Sequence, residues 1–266
     1  LKQEVEQLLA ICRNQLTETM RQLETQQHVL TPLAQQLLSR EQDVDLAEVQ
    51  SIEIESFTEI SPESPPATTS DVIATLPEIS FETAFINNHV IQRERRTARQ
   101  WTESLPDGVV LEMIYIPGGT FIMGSEDTEC ATPPHSVSIK PFLAGKYPIT
   151  QEQWEAVMGN NPSKFRGARH PVETVNWRDA VLFCAKLSQL TENHYQLFTE
   201  ARWEYACRAG NVTHYCFGDE IVPELANYED SGVKQTSPVG IYPANAFALY
   251  DMHGNVWEWC EDIWHE

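Results

Sequence analysis

Basic residues are scarce in this chain. Lys and Arg number 18 against 39 Asp and Glu, which leaves a net charge of -21 and a pI near 4.7. A nucleic-acid binder needs a basic footprint to neutralise phosphates, so no nucleic-acid partner is expected. No apolar run reaches the length of a membrane span and no signal-like segment is present, so no membrane partner is expected and the expected location is the cytoplasm. The six cysteines (Cys12, Cys130, Cys184, Cys207, Cys216 and Cys260) include no C-x-x-C pair and are spread too widely for a small disulfide framework. Cys184, Cys207 and Cys260 sit in apolar patterns and read as buried thiols, while a disulfide stays open for Cys130 or Cys216. P-loop, G-x-G-x-x-G, H-E-x-x-H and G-x-S-x-G motifs are absent. The eight histidines are scattered, and His135, His170 and His253 read as loop or turn residues rather than ligands.

What is there begins with a helical pattern. Leu9, Cys12, Leu16, Leu23 and Leu30 fall near three-four spacing, Pro32 interrupts, and Leu37, Leu38 and Leu46 continue on a second segment. Residues 1–50 therefore read as a helical hairpin or coiled-coil arm, packing on itself, on a second copy or on a partner. Residues 51–80 hold six acidic residues, no basic one, and Pro62, Pro65, Pro66 and Pro77, the composition of an extended linker. Residues 81–100 read as a helix ending in a basic cluster, Arg93, Arg95, Arg96 and Arg99, whose plain role is a solvated face.

From Trp101 to the end the pattern shifts to short strands and capped helices. Leu111–Ile116 reads as a strand, Pro117-Gly118-Gly119 as a turn using the freedom of glycine, and Thr120–Met123 as the returning partner. Ser136–Ile139 alternates like a half-buried strand. Thr150-Gln151-Glu152-Gln153 fits a capping box, Asn176 fits an N-cap with Asp179 in the first turn, and Thr199 opens a third helix that Ala209-Gly210 ends. Mixed strands and helices make this an α+β domain.

Five stretches occur here in a distinctive order. They are Ile116–Ser125 (IPGGTFIMGS), Tyr147–Gln151 (YPITQ), Pro171–Trp177 (PVETVNW), Thr199–Gly210 (TEARWEYACRAG), and Asn245–Tyr250 running into Asp251–Trp259 (DMHGNVWEW). This ordered set resembles the formylglycine-generating enzyme family, also called sulfatase-modifying factors. The resemblance implies a C-type-lectin-like fold over residues 101–266, C-terminally incomplete and preceded by the helical region. The same fold is similar to the variable proteins of diversity-generating retroelements, which bind ligands through it. One departure is plain: Arg202 stands where the family carries an acidic residue, which removes half of a capping box at the third helix.

The last motif has the chemistry of a cation site. Asp251 and Glu258 offer carboxylates across a bend at Gly254, and the bend can turn the carbonyls of Gly254 and Val256 toward the same point, as hard Ca2+ prefers. On spacing alone, a tight turn capped by Asp251 explains the same residues. The resemblance carries over Asp251, Gly254, Val256 and Glu258 as ligands of structural calcium. It implies a second site at the carbonyls of Asn227 and Tyr228, with Asp230 as the later carboxylate. Trp257 and Trp259 would share one face of a strand and are expected in the core, with Glu258 on the opposite face.

Family enzymes oxidise a sulfatase cysteine to formylglycine with a cysteine pair that binds copper(I), Cu+, after an Arg-Gly-Gly-Ser stretch. These 266 residues contain no such stretch, so no catalytic residue carries over. The expected function is a non-catalytic module that recognises a protein or a small ligand, with structural calcium. The alternative is a copper-dependent formylglycine-generating oxidase whose cysteine pair lies C-terminal to Glu266.

Overall fold

A computed structural model describes residues 75–126 and 133–262. The expected helical arm at 1–50, nearly all of the acidic linker, Cys12 and Cys130 lie outside the described residues.

The chain enters the domain through a long hairpin, β1 (Glu78–Asn87) and β2 (Val90–Ser104). This corrects the expected helix at 81–100. Arg, Gln and Glu on β2 favour helix locally, but Ile79, Phe81, Thr83 and Phe85 alternate along β1 and every residue from Glu78 to Asn87 finds a cross-strand partner. Asn88 and His89 take φ of 50° and 61°, the left-handed pair of a two-residue hairpin turn whose twist matches the strands. The arginines consequently spread over a ribbon rather than a helix face. Arg93 meets Glu82 at 2.7 Å and Arg96 meets Glu94 at 2.5 Å.

β2 continues into a sheet with β3 (Val110–Ile116) and β6 (Phe142–Gly145), giving the antiparallel order β1-β2-β3-β6. β4 (Gly119–Met123) does not return onto β3 as expected. It leaves the sheet and pairs with β5 (His135–Ile139) instead. The cause is close packing at the two glycines, neither of which has positive φ. A Cβ on Gly118 would lie 2.7 Å from the Ile139 carbonyl oxygen and from Pro141, and one on Gly119 would lie 2.6 Å from the Tyr205 hydroxyl.

Three helices follow, α1 (Gln151–Met158), α2 (Trp177–Thr191) and α3 (Glu200–Arg208). Thr150 and Asn176 each form a full capping box, with Gln153 and Asp179 closing it from the third helical position. α3 keeps half of one: the Thr199 hydroxyl accepts from Arg202 N at 3.2 Å. The orphaned Glu200 N–H at the same end is taken by the carboxylate of Asp262, sixty-two residues later. Thr150 is fully buried, and its box holds the entry of α1 beneath Val110, whose carbonyl accepts from the Gln153 amide at 2.9 Å. Thr150→Ala should cost about 1 kcal/mol in a urea unfolding experiment.

The core has three centres. Ile114, Ile116, Ala144, Tyr205, Ala206, Ala248 and Leu249 join the sheet to α3 and the C-terminal loops. Trp154 stacks on Phe183 with ring centroids 5.1 Å apart and, with Leu187 and Leu111, seats α1 and α2. Ala84, Phe217, Leu225 and Ala226 clamp the far end of the hairpin over the loop that leads to Asn227. Most of the chain after α3 is irregular, and side chains supply what a ladder would otherwise supply. Asn245, 3% exposed, donates to the Ala206 and Cys207 carbonyls and accepts from Phe247 N and Leu249 N.

Candidate functional site

The irregular C-terminal segment turns at Asp251–Asn255. Asp251 and Asn255 sit in left-handed backbone, φ 60° and 72°, which short polar side chains tolerate. Gly254 is required by contact: a Cβ there would stand 2.2 Å from the Asn227 carbonyl oxygen, which accepts the Asn255 N–H at 2.7 Å. The Asn255 side chain ties in the neighbouring loop, accepting from Ser237 N at 2.9 Å and donating to the Ser237 carbonyl at 3.1 Å.

This turn and the segment after it carry two half-buried carboxylates. Asp251 accepts Gly240 N–H at 2.8 Å and the Asn255 amide at 3.5 Å. Glu258 accepts the Trp203 indole N–H at 2.7 Å. Neither meets Lys, Arg or His in a salt bridge among the described residues. Burial pushes Asp251 up to about 6 and Glu258 up to about 7; the charge of Asp251 adds to the rise at Glu258. The described residues contain no cluster of three or more His, Cys, Asp and Glu able to hold a metal. A cation here would therefore take these two carboxylates together with backbone carbonyls. Val256's carbonyl accepts no hydrogen bond among the described residues, whereas Gly254's accepts Val256 N–H at 2.9 Å. Two half-buried acids with no cationic partner among the described residues, on one segment with an unengaged carbonyl, have the oxygen chemistry that a hard cation takes.

Asn227 and Tyr228, expected at a second site, have carbonyls already engaged by Asn255 N and Ser231 N, and Asp230 lies exposed in the short 3-10 turn Glu229–Ser231.

The tryptophans are a correction. The chain at 257–260 is irregular and has no ladder partner; Glu258 turns inward to Trp203, and Trp257 and Trp259 turn outward. The expected alternation holds, but the sides are exchanged, because the core on this side is filled by Trp203 and the two carboxylates. Trp257 is fully exposed, Trp259 is 50% exposed and Trp177 on α2 is 37% exposed. Two of the three are anchored: Trp259 Nε1 donates to the Val175 carbonyl at 3.1 Å and Trp177 Nε1 to the Cys260 carbonyl at 2.9 Å. Sequence reasoning missed this exposed face, and it missed Trp203, whose role as the partner of Glu258 has no short-range signal.

Cys184, Cys207, Cys216 and Cys260 are free thiols, of which only Cys207 is fully buried. Burial raises the pKa of all four, so none is poised as a thiolate.

A small antiparallel sheet, capped helices and a long irregular segment folded around a half-buried acidic turn define an α+β domain of the C-type-lectin-like class. Residues 100–266 match the model of the Sulfatase-modifying factor enzyme 1-like domain, and the chain belongs to that family. It is 32% identical to a "Chaperone protein LppX" of Paenibacillus barcinonensis over 58% of this chain and 72% of that protein. It is 26% identical to a formylglycine-generating enzyme of Thermomonospora curvata over 60% of this chain and 74% of that one. A serine/threonine-protein kinase pkn1 of Chlamydia caviae is 31% identical over 69% of this chain, which spans only 32% of the kinase's length. Among solved structures it resembles Treponema denticola variable protein 1, with a TM-score of 0.53 and 29% identity over 60% of this chain and 76% of that one. PvdO from Pseudomonas aeruginosa gives a TM-score of 0.53 and 32% identity over 62% and 75%. No helix among the described residues is long and apolar enough to cross a membrane.

Proposed function

We propose that this domain is a non-catalytic recognition module, in which a calcium ion at Asp251 and Glu258 sets the shape of a surface that binds a protein or a small ligand. The observation that carries the reading is the exposed tryptophan face. Trp257, Trp259 and Trp177 present indole area to solvent beside the acidic turn, and the anchored N–H groups of the last two fix their rings in advance. Pre-positioned aromatic faces give contact area at little entropic cost. The likeness to a variable protein supports the same reading.

Calcium, when bound, would neutralise the two half-buried carboxylates; the ligands would be Asp251, Glu258 and the carbonyls of Gly254 and Val256. A second ion at Asn227 and Tyr228 would share carbonyl lone pairs with the hydrogen bonds already there. The N-terminal 50 residues would supply self-association or docking. The oxidase alternative places its Cu+-binding cysteine pair outside these 266 residues, so the thiols described above do not bear on it, and the copper assay below separates the two readings.

Two assays test the reading. Peptide and oligosaccharide arrays probed with the protein should give ligands whose binding falls at least about tenfold in Trp257→Ala and Trp259→Ala. Trp257→Ala should change stability by less than about 0.5 kcal/mol, because its side chain is fully exposed. Formylglycine formation from a cysteine-containing sulfatase peptide in the presence of Cu+, or array binding indifferent to both substitutions, would overturn the proposal.

A further inference from the structure

We infer that the ligand of the tryptophan face is a cationic segment of a partner protein, whose Lys or Arg side chains stack on Trp257 and Trp259 and meet the carboxylate of Glu261. This rests on the reading of that face as a recognition surface and names the chemistry the surface takes.

One short stretch of chain lays the row down. Trp257, Trp259 and Glu261 stand at alternate positions and all three are exposed, while Glu258 and Cys260 between them are half-buried. The stretch crosses from the start of one helix to the start of another. At the α2 end, Trp259 Nε1 donates to the Val175 carbonyl at 3.1 Å and Trp177 Nε1 to the Cys260 carbonyl at 2.9 Å. At the α3 end, Glu261 N donates to the Phe198 carbonyl at 2.7 Å, and the Asp262 carboxylate takes the Glu200 N–H. The backbone N–H and C=O groups of Trp257, Glu258 and Trp259 make no hydrogen bond among the described residues. A docked segment can therefore pair with main chain as well as lie against the indoles.

Charge sets the class of that segment. The negative face of an aromatic ring attracts cations, and indole does so most strongly. Glu200, Glu261 and Asp262 are exposed along the α3 end of the row, and none of the three enters a salt bridge among the described residues. The basic groups at the two helix starts are Arg178, which is exposed, and Arg202, whose guanidinium lies over the Phe142 ring, 5.6 Å from its centroid. The whole chain carries a net charge of -21, so a cationic segment is attracted from a distance and an acidic one is repelled. A neutral ligand would use the indoles and leave these carboxylates unanswered.

Fluorescence anisotropy on the full folded chain tests this with a labelled peptide of alternating Lys and Ser, compared with the same peptide acetylated at every lysine. The Lys peptide should bind at least about tenfold more tightly than the acetylated one. Its binding should weaken as salt rises, fall at least about tenfold in Trp257→Ala and fall about threefold in Glu261→Gln. Trp257→Ala keeps the net charge, so general attraction to an acidic chain survives it; peptide binding that this substitution leaves unchanged overturns the inference. Equal binding of both peptides overturns it too, as do neutral array ligands that depend on Trp257 and Trp259 while the Lys peptide fails to bind. Those two outcomes leave the recognition reading standing, whereas array ligands and peptides that all ignore the tryptophans remove both. Self-association lost in Trp257→Ala, with no peptide bound, would give the face to a second copy and overturn the inference. Trp259→Ala takes the place of Trp257→Ala if the latter does not fold.

Discussion

Freed of divalent cation at pH 8, Glu258→Gln should be more stable than the wild type, and saturating Ca2+ should reverse the order. Glu258 has a folded-state pKa of about 7 against an ordinary 4.5, and Asp251 about 6 against 3.8. Both are raised, so the folded state binds more protons than the unfolded chain between those values. Their stabilisation is complete below the unfolded pKa and is lost as pH rises through the folded one. For Glu258 the loss is on the order of 3 kcal/mol by pH 8, which for a domain of this size is roughly 6–12 °C in Tm. His253 acts in the opposite sense. Its pKa is lowered to about 4, so its contribution is lost as pH falls below about 6.5 and is constant above. The window from pH 6.5 to 8 therefore excludes His253 and holds most of the Glu258 change, with a small tail from Asp251. Glutamine mimics the protonated acid, keeps an oxygen for the Trp203 N–H and carries no charge to bury. Calcium should stabilise the wild type by mass action and leave the variant nearly unmoved. Differential scanning fluorimetry with EDTA or excess Ca2+ reads all four combinations. Equal calcium shifts in both proteins, or a variant less stable than the wild type under EDTA at pH 8, would remove calcium from this site.

The fold was legible where its causes are local. Thr150, Asn176 and Thr199 announce their helices because a cap is a contract between residues three apart, and all three cap as read. The hairpin at 78–104 was not legible. Its residues carry mixed propensity, and pairing between strands across the chain decides the outcome. The same limit applies at the site. Alternation in Val256-Trp257-Glu258-Trp259 tells which side chains share a face, but not which face is inside. That depends on Trp203, fifty-five residues earlier, reaching Glu258. Asp251 and Glu258 were readable as a carboxylate pair through the motif. Their lack of a cationic neighbour, which makes the pair chemically interesting, emerges only in three dimensions.

Gly254→Ala should unfold the acidic turn more severely than any exposed substitution in the domain, by roughly 3 kcal/mol or more in urea denaturation. The added Cβ would lie 2.2 Å from the Asn227 carbonyl oxygen and 2.9 Å from its carbon, and both are backbone atoms that no rotamer change can move aside. Relief requires shifting Asn227, which is 8% exposed and tied by its side chain to the Gln235 carbonyl at 2.9 Å. It also requires breaking the Asn255 N–H bond to the same oxygen, which sets the turn between Asp251 and Glu258. Gly210→Ala is the matched control. Gly210 has φ 88° but nothing within 4 Å of a Cβ, so alanine there meets backbone strain alone and should cost about 1 kcal/mol. The difference between the two isolates the contact. A Gly254→Ala protein that folds with wild-type stability would mean that Asn227 and the turn are not packed together as described. On the proposed calcium reading, a destabilised Gly254→Ala protein should also lose its Tm response to calcium, because the turn that carries Asp251 and precedes Glu258 is displaced.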